Sequence, residues 1–121
     1  MKTIYENTIK ALGSCVDEFK GEGMFILFGD NAPEELRDYC YSVRVMPLNG
    51  AVRAGQILKI GDNMYTITAV GEEAPVTLAG LGHCTVNFSG QTEADLPGTI
   101  YVENKPMPDI IVGTVIKIME D

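Results

Sequence analysis

A single histidine, His83, stands in this 121-residue chain, at the head of His83-Cys84-Thr85-Val86-Asn87-Phe88-Ser89. In an extended segment, successive side chains face opposite ways. Cys84, Val86 and Phe88 then share an apolar face, and His83, Thr85, Asn87 and Ser89 share a polar one. An accessible neutral imidazole is a nucleophile at one nitrogen while a hydrogen bond orients the other. That suits the reversible acceptance of a small group near neutral pH. The residue types alone leave two readings open, this acceptor and an outward-facing histidine with no chemical task.

The other reactive side chains offer less. Cys15, Cys40 and Cys84 are odd in number and contain no C-x-x-C pair, so reduced thiols inside a cell are expected rather than disulfides. With one histidine and scattered thiols, no metal site is expected. Cys40 and Cys84 fall on apolar faces, and Cys15 lies beside Asp17 and Glu18, so none is expected to be a nucleophile. The pairs Glu34/Glu35 and Glu72/Glu73 fit a helix start and a loop tip. Arg44 and Arg53 carry the guanidinium fork that binds phosphate. No glycine-rich cradle accompanies them, because Gly80-Leu81-Gly82 lacks the remaining positions of a dinucleotide fingerprint or a P-loop.

The elements that must position these groups are mostly strands. Turn residues recur every ten to fifteen positions, and the segments between them alternate or are rich in Val, Ile, Thr and Tyr. Strands are expected near 2–12, 23–29, 41–47, 55–61, 64–71, 83–89, 98–104 and 112–119. The clearest hairpin turns at Gly61-Asp62-Asn63. Gly55, Gly98 and Gly113 stand at strand entrances, which suits the corners of a barrel. The fold expected is mainly β, a small closed or partly closed barrel with one short helix, in a single domain spanning 1–121. Asn31 is expected to cap that helix, with Pro33 in its first turn and Leu36 and Cys40 inward. A second helical turn is expected after Pro75, with Leu78 and Leu81 inward and Gly80 and Gly82 ending it.

Composition narrows the class. Apolar residues make up 45% of the chain and charged ones 21%, ordinary for a globular protein. No run approaches the roughly 18 apolar residues of a membrane span, and the opening Met1-Lys2-Thr3-Ile4-Tyr5-Glu6 has no charged-then-apolar leader, so a cytoplasmic protein is expected. The net charge of −8, with nine basic residues in no block, argues against a nucleic-acid partner.

At Leu81-Gly82-His83-Cys84-Thr85-Val86-Asn87-Phe88-Ser89-Gly90 the sequence resembles the glucitol/sorbitol-specific IIA component of the bacterial phosphoenolpyruvate-dependent sugar phosphotransferase system. The likeness extends through Ile4-Tyr5, Ala32-Pro33, Tyr39-Cys40, Leu48-Asn49-Gly50-Ala51 and Thr68-Ala69-Val70-Gly71. It continues in Leu96-Pro97-Gly98-Thr99, Pro108-Asp109-Ile110 and Val112-Gly113-Thr114-Val115. The resemblance implies a phosphocarrier that takes a phosphoryl group from HPr on a histidine and passes it to the IIB part of a IIB/IIC sugar transporter. It implies no metal or organic cofactor. His83 would then be the acceptor, Thr85 would orient the imidazole or contact phosphoryl oxygens, and Arg44 or Arg53 would neutralise charge. The acidic surface would steer a basic face of HPr.

One departure marks the match. The family's usual histidine lies in a His-x-His pair shortly after the Tyr-Cys of the helix end, and those positions here are Val43 and Val45. Tyr41, Val43 and Val45 are instead expected to form one apolar face. The alternative implied is a non-catalytic interaction or regulatory module of the same fold.

Overall fold

A computed structural model describes all residues, 1–121. Nine strands form: β1 (Lys2–Thr8), β2 (Ala11–Leu12), β3 (Met24–Gly29), β4 (Tyr41–Val43), β5 (Ile57–Ile60), β6 (Asn63–Val70), β7 (Cys84–Asn87), β8 (Thr99–Val102) and β9 (Val115–Glu120). They hydrogen-bond in the order β1-β9-β5-β6-β8-β7-β3-β4-β2. The β3–β4 and β7–β8 pairs are parallel and the others antiparallel.

The barrel expected from the turn spacing does not close. The sheet is open, with β1 and β2 at its two ends. The expected strand over 2–12 breaks at Ile9-Lys10, where the chain changes partners. The Ile9 N–H donates to the Thr114 carbonyl before β9, and the Lys10 N–H donates to the Ser42 carbonyl on β4. Closure would require the end strands to ladder with one another. Consecutive pieces of one extended segment each bond to an inner neighbour instead.

The hairpin is tighter than expected. Ile60 pairs with Asn63, leaving a two-residue turn of Gly61 and Asp62. Gly61 has φ +60° while Asp62 stays at negative φ, the pattern of a II′ turn, in which glycine takes the first central position.

Three helices form, α1 (Asp17–Lys20), α2 (Glu34–Arg37) and α3 (Ala74–Leu81), of which α2 and the turn after Pro75, here α3, were expected and α1 was not. Helix α1 buries no residue, so it leaves no apolar periodicity in the sequence. Helix α2 is one turn long, with Pro33 at its cap and no side-chain cap bond. Asn31 belongs to the turn before it, its Oδ1 directed toward Gly29. Cys40 is buried as expected, whereas Leu36 is exposed. Helix α3 buries Leu78 but not Leu81, whose carbonyl rather than side chain packs toward Gly29.

Twenty-three buried residues form the main core, to which β3 contributes Phe25 and Leu27 and β7 contributes Cys84 and Val86. The other face of β3 carries a small second cluster of Phe28, Ala32 and Cys40, with Ile26 against it. Both faces of β3 are therefore covered, which explains why its sequence is a continuous apolar run rather than an alternation.

Candidate functional site

His83 sits where α3 hands over to β7, and the chain fixes its backbone there by a short series of contacts. Gly82 adopts φ +68°, a left-handed conformation that few other residues take without strain. A Cβ on Gly82 would lie 2.8 Å from the Gly29 nitrogen, so the two glycines let helix end and strand end touch. Thr77, one turn back in α3, clasps His83 from both sides. The His83 N–H donates to the Thr77 carbonyl at 3.1 Å, and the Thr77 hydroxyl donates to the His83 carbonyl at 2.7 Å.

The imidazole is half-buried and lies flat against Phe28, with ring centroids 4.3 Å apart and planes 17° from parallel. Sheet register accounts for the stack. Ile26 pairs with Thr85 and Leu27 with Cys84, so Phe28 comes opposite His83 on the face away from the main core. The ring makes no hydrogen bond or ion pair within the chain. Burial alone lowers its pKa from the ordinary 6.5, favouring the neutral form that carries a free lone pair. Thr85 shares this face two residues on, half-buried, with its backbone N–H bonded to the Gly98 carbonyl and its hydroxyl unengaged in the chain.

The structure brings the Arg44 backbone close to Gly82, while its side chain lines a groove with Glu6, Asn7, Thr8, Lys10 and Met46 that does not include His83, and it places Arg53 elsewhere. The Arg44 carbonyl lies 3.5 Å from where a Gly82 Cβ would stand. The Arg44 side chain is exposed beside Lys10, and Lys10 pairs with Asp30 at 3.3 Å. Arg53 instead donates to Glu120 on β9 at 3.0 Å, with β5, β6 and β8 standing between β9 and β7 in the sheet.

The two valines of the departed His-x-His pattern separate. Val43 ends β4 in the core with 0% of its surface exposed, opposite Gly29. Val45 lies beyond the strand end and is 40% exposed, so it leaves the apolar face expected to include it. Its Cγ2 stands 2.9 Å from a Cβ position on Gly29, which places it around the same glycine that meets Gly82.

Phe28, Thr77 and the Gly29–Gly82 approach were not among the residues singled out from sequence. Phe28 lies inside the apolar run Met24-Phe25-Ile26-Leu27-Phe28, where no alternation says which side chains face out. Thr77 had a positional signal, six residues before the histidine across a helix end. Among the thiols, Cys84 is wholly buried and pushed up to about 12, and burial also raises Cys40. No three His, Cys, Asp or Glu side chains gather into a metal-binding group. No helix is long and apolar enough to cross a membrane.

A family model described as "PTS system glucitol/sorbitol-specific IIA component" matches residues 4–117. Proteins named "PTS system glucitol/sorbitol-specific EIIA component" from Shigella flexneri and Escherichia coli are each 37% identical over 117 residues, covering 97% of this chain and 95% of theirs. A crystal structure of a PTS system IIA component from Enterococcus faecalis superposes with a TM-score of 0.80 at 28% identity, covering 93% of this chain and 97% of that one.

Proposed function

We propose a function from one premise: this chain belongs to the PTS glucitol/sorbitol-specific IIA component family. It is a cytoplasmic phosphocarrier whose His83 accepts a phosphoryl group from HPr and passes it to the IIB component that serves glucitol/sorbitol uptake. The observation that carries this reading is the imidazole itself. It is the only one in the chain, burial, with Phe28 stacked on its ring, favours its neutral form, and its backbone is clamped by Thr77 while its ring nitrogens are left unengaged.

Phosphoryl transfer asks a protein mainly for in-line positioning and for stabilisation of the equatorial oxygens. A nitrogen lone pair of His83 attacks the phosphorus of the donor phosphohistidine. The new N–P bond forms as the donor's N–P bond breaks, and the released electron pair returns to the donor imidazole. The far N–H of each ring stays in place, so no oxidant, metal or net proton is required. The second transfer repeats the exchange with the next carrier's nucleophile. In this reading the unengaged Thr85 hydroxyl would orient the ring or meet phosphoryl oxygens, and Arg44, whose backbone lies against Gly82, would supply positive charge. The flat stack on Phe28 leaves the imidazole rotamer defined before either partner docks.

A second reading rests on Val43 and Val45. A valine accepts no phosphoryl group, and a family member without the usual histidines would act by binding alone. Intact-mass analysis after incubation with phosphoenolpyruvate, enzyme I and HPr separates the two. One acid-labile phosphate on the parent protein and none on His83→Ala is the expected result. No added mass on the parent, beside an ordinary family member that is modified, would refute the acceptor role of His83 and favour the binding role.

A further inference from the structure

We propose that Asn7 is a positioning residue for the phosphotransfer face, acting through Arg44; the inference rests on the reading above. Asparagine is a poor strand former, yet Asn7 lies within β1, only 6% exposed. Its amide makes all four bonds open to it. Nδ2 donates to the Tyr5 hydroxyl at 2.8 Å and to the Arg44 carbonyl at 2.7 Å. Oδ1 accepts from the Thr8 N–H at 2.9 Å and from the Arg44 N–H at 3.4 Å.

Two of those bonds go to both backbone groups of one residue. Arg44 follows directly on the end of β4, where the ladder has stopped, and the Asn7 amide presents the donor and acceptor that another strand would have offered there. A side chain on β1, at one end of the sheet, thereby holds the segment leaving β4 near the other end. That segment packs against Gly82, the residue before His83. A buried amide with all of its groups satisfied is rigid, so the clasp fixes the origin of the Arg44 side chain.

That side chain is free to act. Of the nine basic residues, Lys10, Lys20, Arg53, Lys105 and Lys117 each pair with a carboxylate, whereas Arg44, like Lys2, Arg37 and Lys59, pairs with none. It lines an open groove of about 610 Å³ with Glu6, Asn7, Thr8, Lys10 and Met46. In a chain with seventeen acidic residues, an arginine anchored by its backbone and left without a carboxylate is suited to an incoming anion.

A double-mutant cycle on the full chain tests the assignment, with the rate of phosphorylation by HPr and the unfolding temperature both measured. Asn7→Ser removes the reach to Arg44 while keeping the site polar. Asn7→Asp keeps the acceptor but not the donor, and takes its place if the serine variant fails to fold. Asn7→Ser and Arg44→Gln are each expected to slow transfer by roughly ten- to a hundred-fold, the scale of a misplaced or missing contact. Together they should be no slower than Arg44→Gln alone, while the loss of unfolding temperature from Asn7→Ser is the same in both backgrounds. Rate losses that multiply, or an Arg44→Gln protein as fast as the parent, would overturn the role of Asn7 while leaving the phosphocarrier reading standing. A parent protein that takes up no phosphate overturns both.

Discussion

Replacing Phe28 with alanine probes the packing that lowers the His83 pKa. Phe28 is 8% exposed and contributes one face of the stack at 4.3 Å. Phe→Ala in a core costs about 3–5 kcal/mol, and the small cluster of Phe28, Ala32 and Cys40 is free to collapse, so the low end, about 3 kcal/mol, is expected. Of that, roughly 0.5–1.5 kcal/mol is the ring pair itself. For a domain of this size each kcal/mol moves the unfolding temperature by about 4 °C, so a drop of about 12 °C is expected.

The same change wets the imidazole. Burial lowers the folded-state pKa of His83 below 6.5, so the unfolded chain takes up its proton first as pH falls. Above 6.5 neither state is protonated and the group adds no pH dependence. From 6.5 down to the lower folded value stability is lost, and below that value the loss levels off. In Phe28→Ala the two values converge and this acid-side loss shrinks. With one histidine in the chain, its imidazole gives a single NMR titration curve. The curve should lie below 6.5 in the parent and move upward in Phe28→Ala. A parent curve already at 6.5, or one that does not move in the variant, would refute the argument that desolvation against Phe28 sets the charge state.

Two further outcomes are expected. Gly82→Ala should cost at least about 2 kcal/mol in thermal unfolding, because it combines a left-handed φ with a Cβ pressed on the Gly29 backbone; a cost under about 0.5 kcal/mol would show that the helix–strand junction relaxes freely. Native alkylation with iodoacetamide should modify Cys15 alone, since Cys40 and Cys84 are buried and their thiols raised, with three adducts appearing only after denaturation. A second adduct under native conditions would indicate that one of these buried sites opens.

Much of the fold could be read from alternation because most strands cover a core on one side only. Cys84, Val86 and Phe88 are buried and Thr85 and Asn87 half-buried, as a period of two requires. Reading failed where an element lacked a one-sided pattern. Helix α1 buries nothing, and Leu36 suggested an inward face that a one-turn helix does not have. The break at Ile9-Lys10 has no local mark either, because both halves are extended and only their partners differ. At the candidate site, His83 and its polar neighbours were visible as residue types. The stack with Phe28 was hidden by the two-sided burial of β3. The clasp by Asn7 was hidden because it joins residues 37 positions apart.

The passage of the first strand segment from β9 to β4 also bears on how the chain reaches this state. Lys2 pairs with Glu120 while Ala11 pairs with Ser42, so the opening residues ladder with partners both near and very far along the chain. Loop-closure entropy must be paid before the distant pairing returns any energy, which places this topology among slower folders, in the millisecond-to-second range. During synthesis, β1 emerges first and waits for β9. The β5–β6 hairpin, with its two-residue turn, can zip without either, which makes it the natural nucleus and leaves the β1–β9 ladder as a late step. Weakening that ladder should then speed unfolding far more than it slows folding.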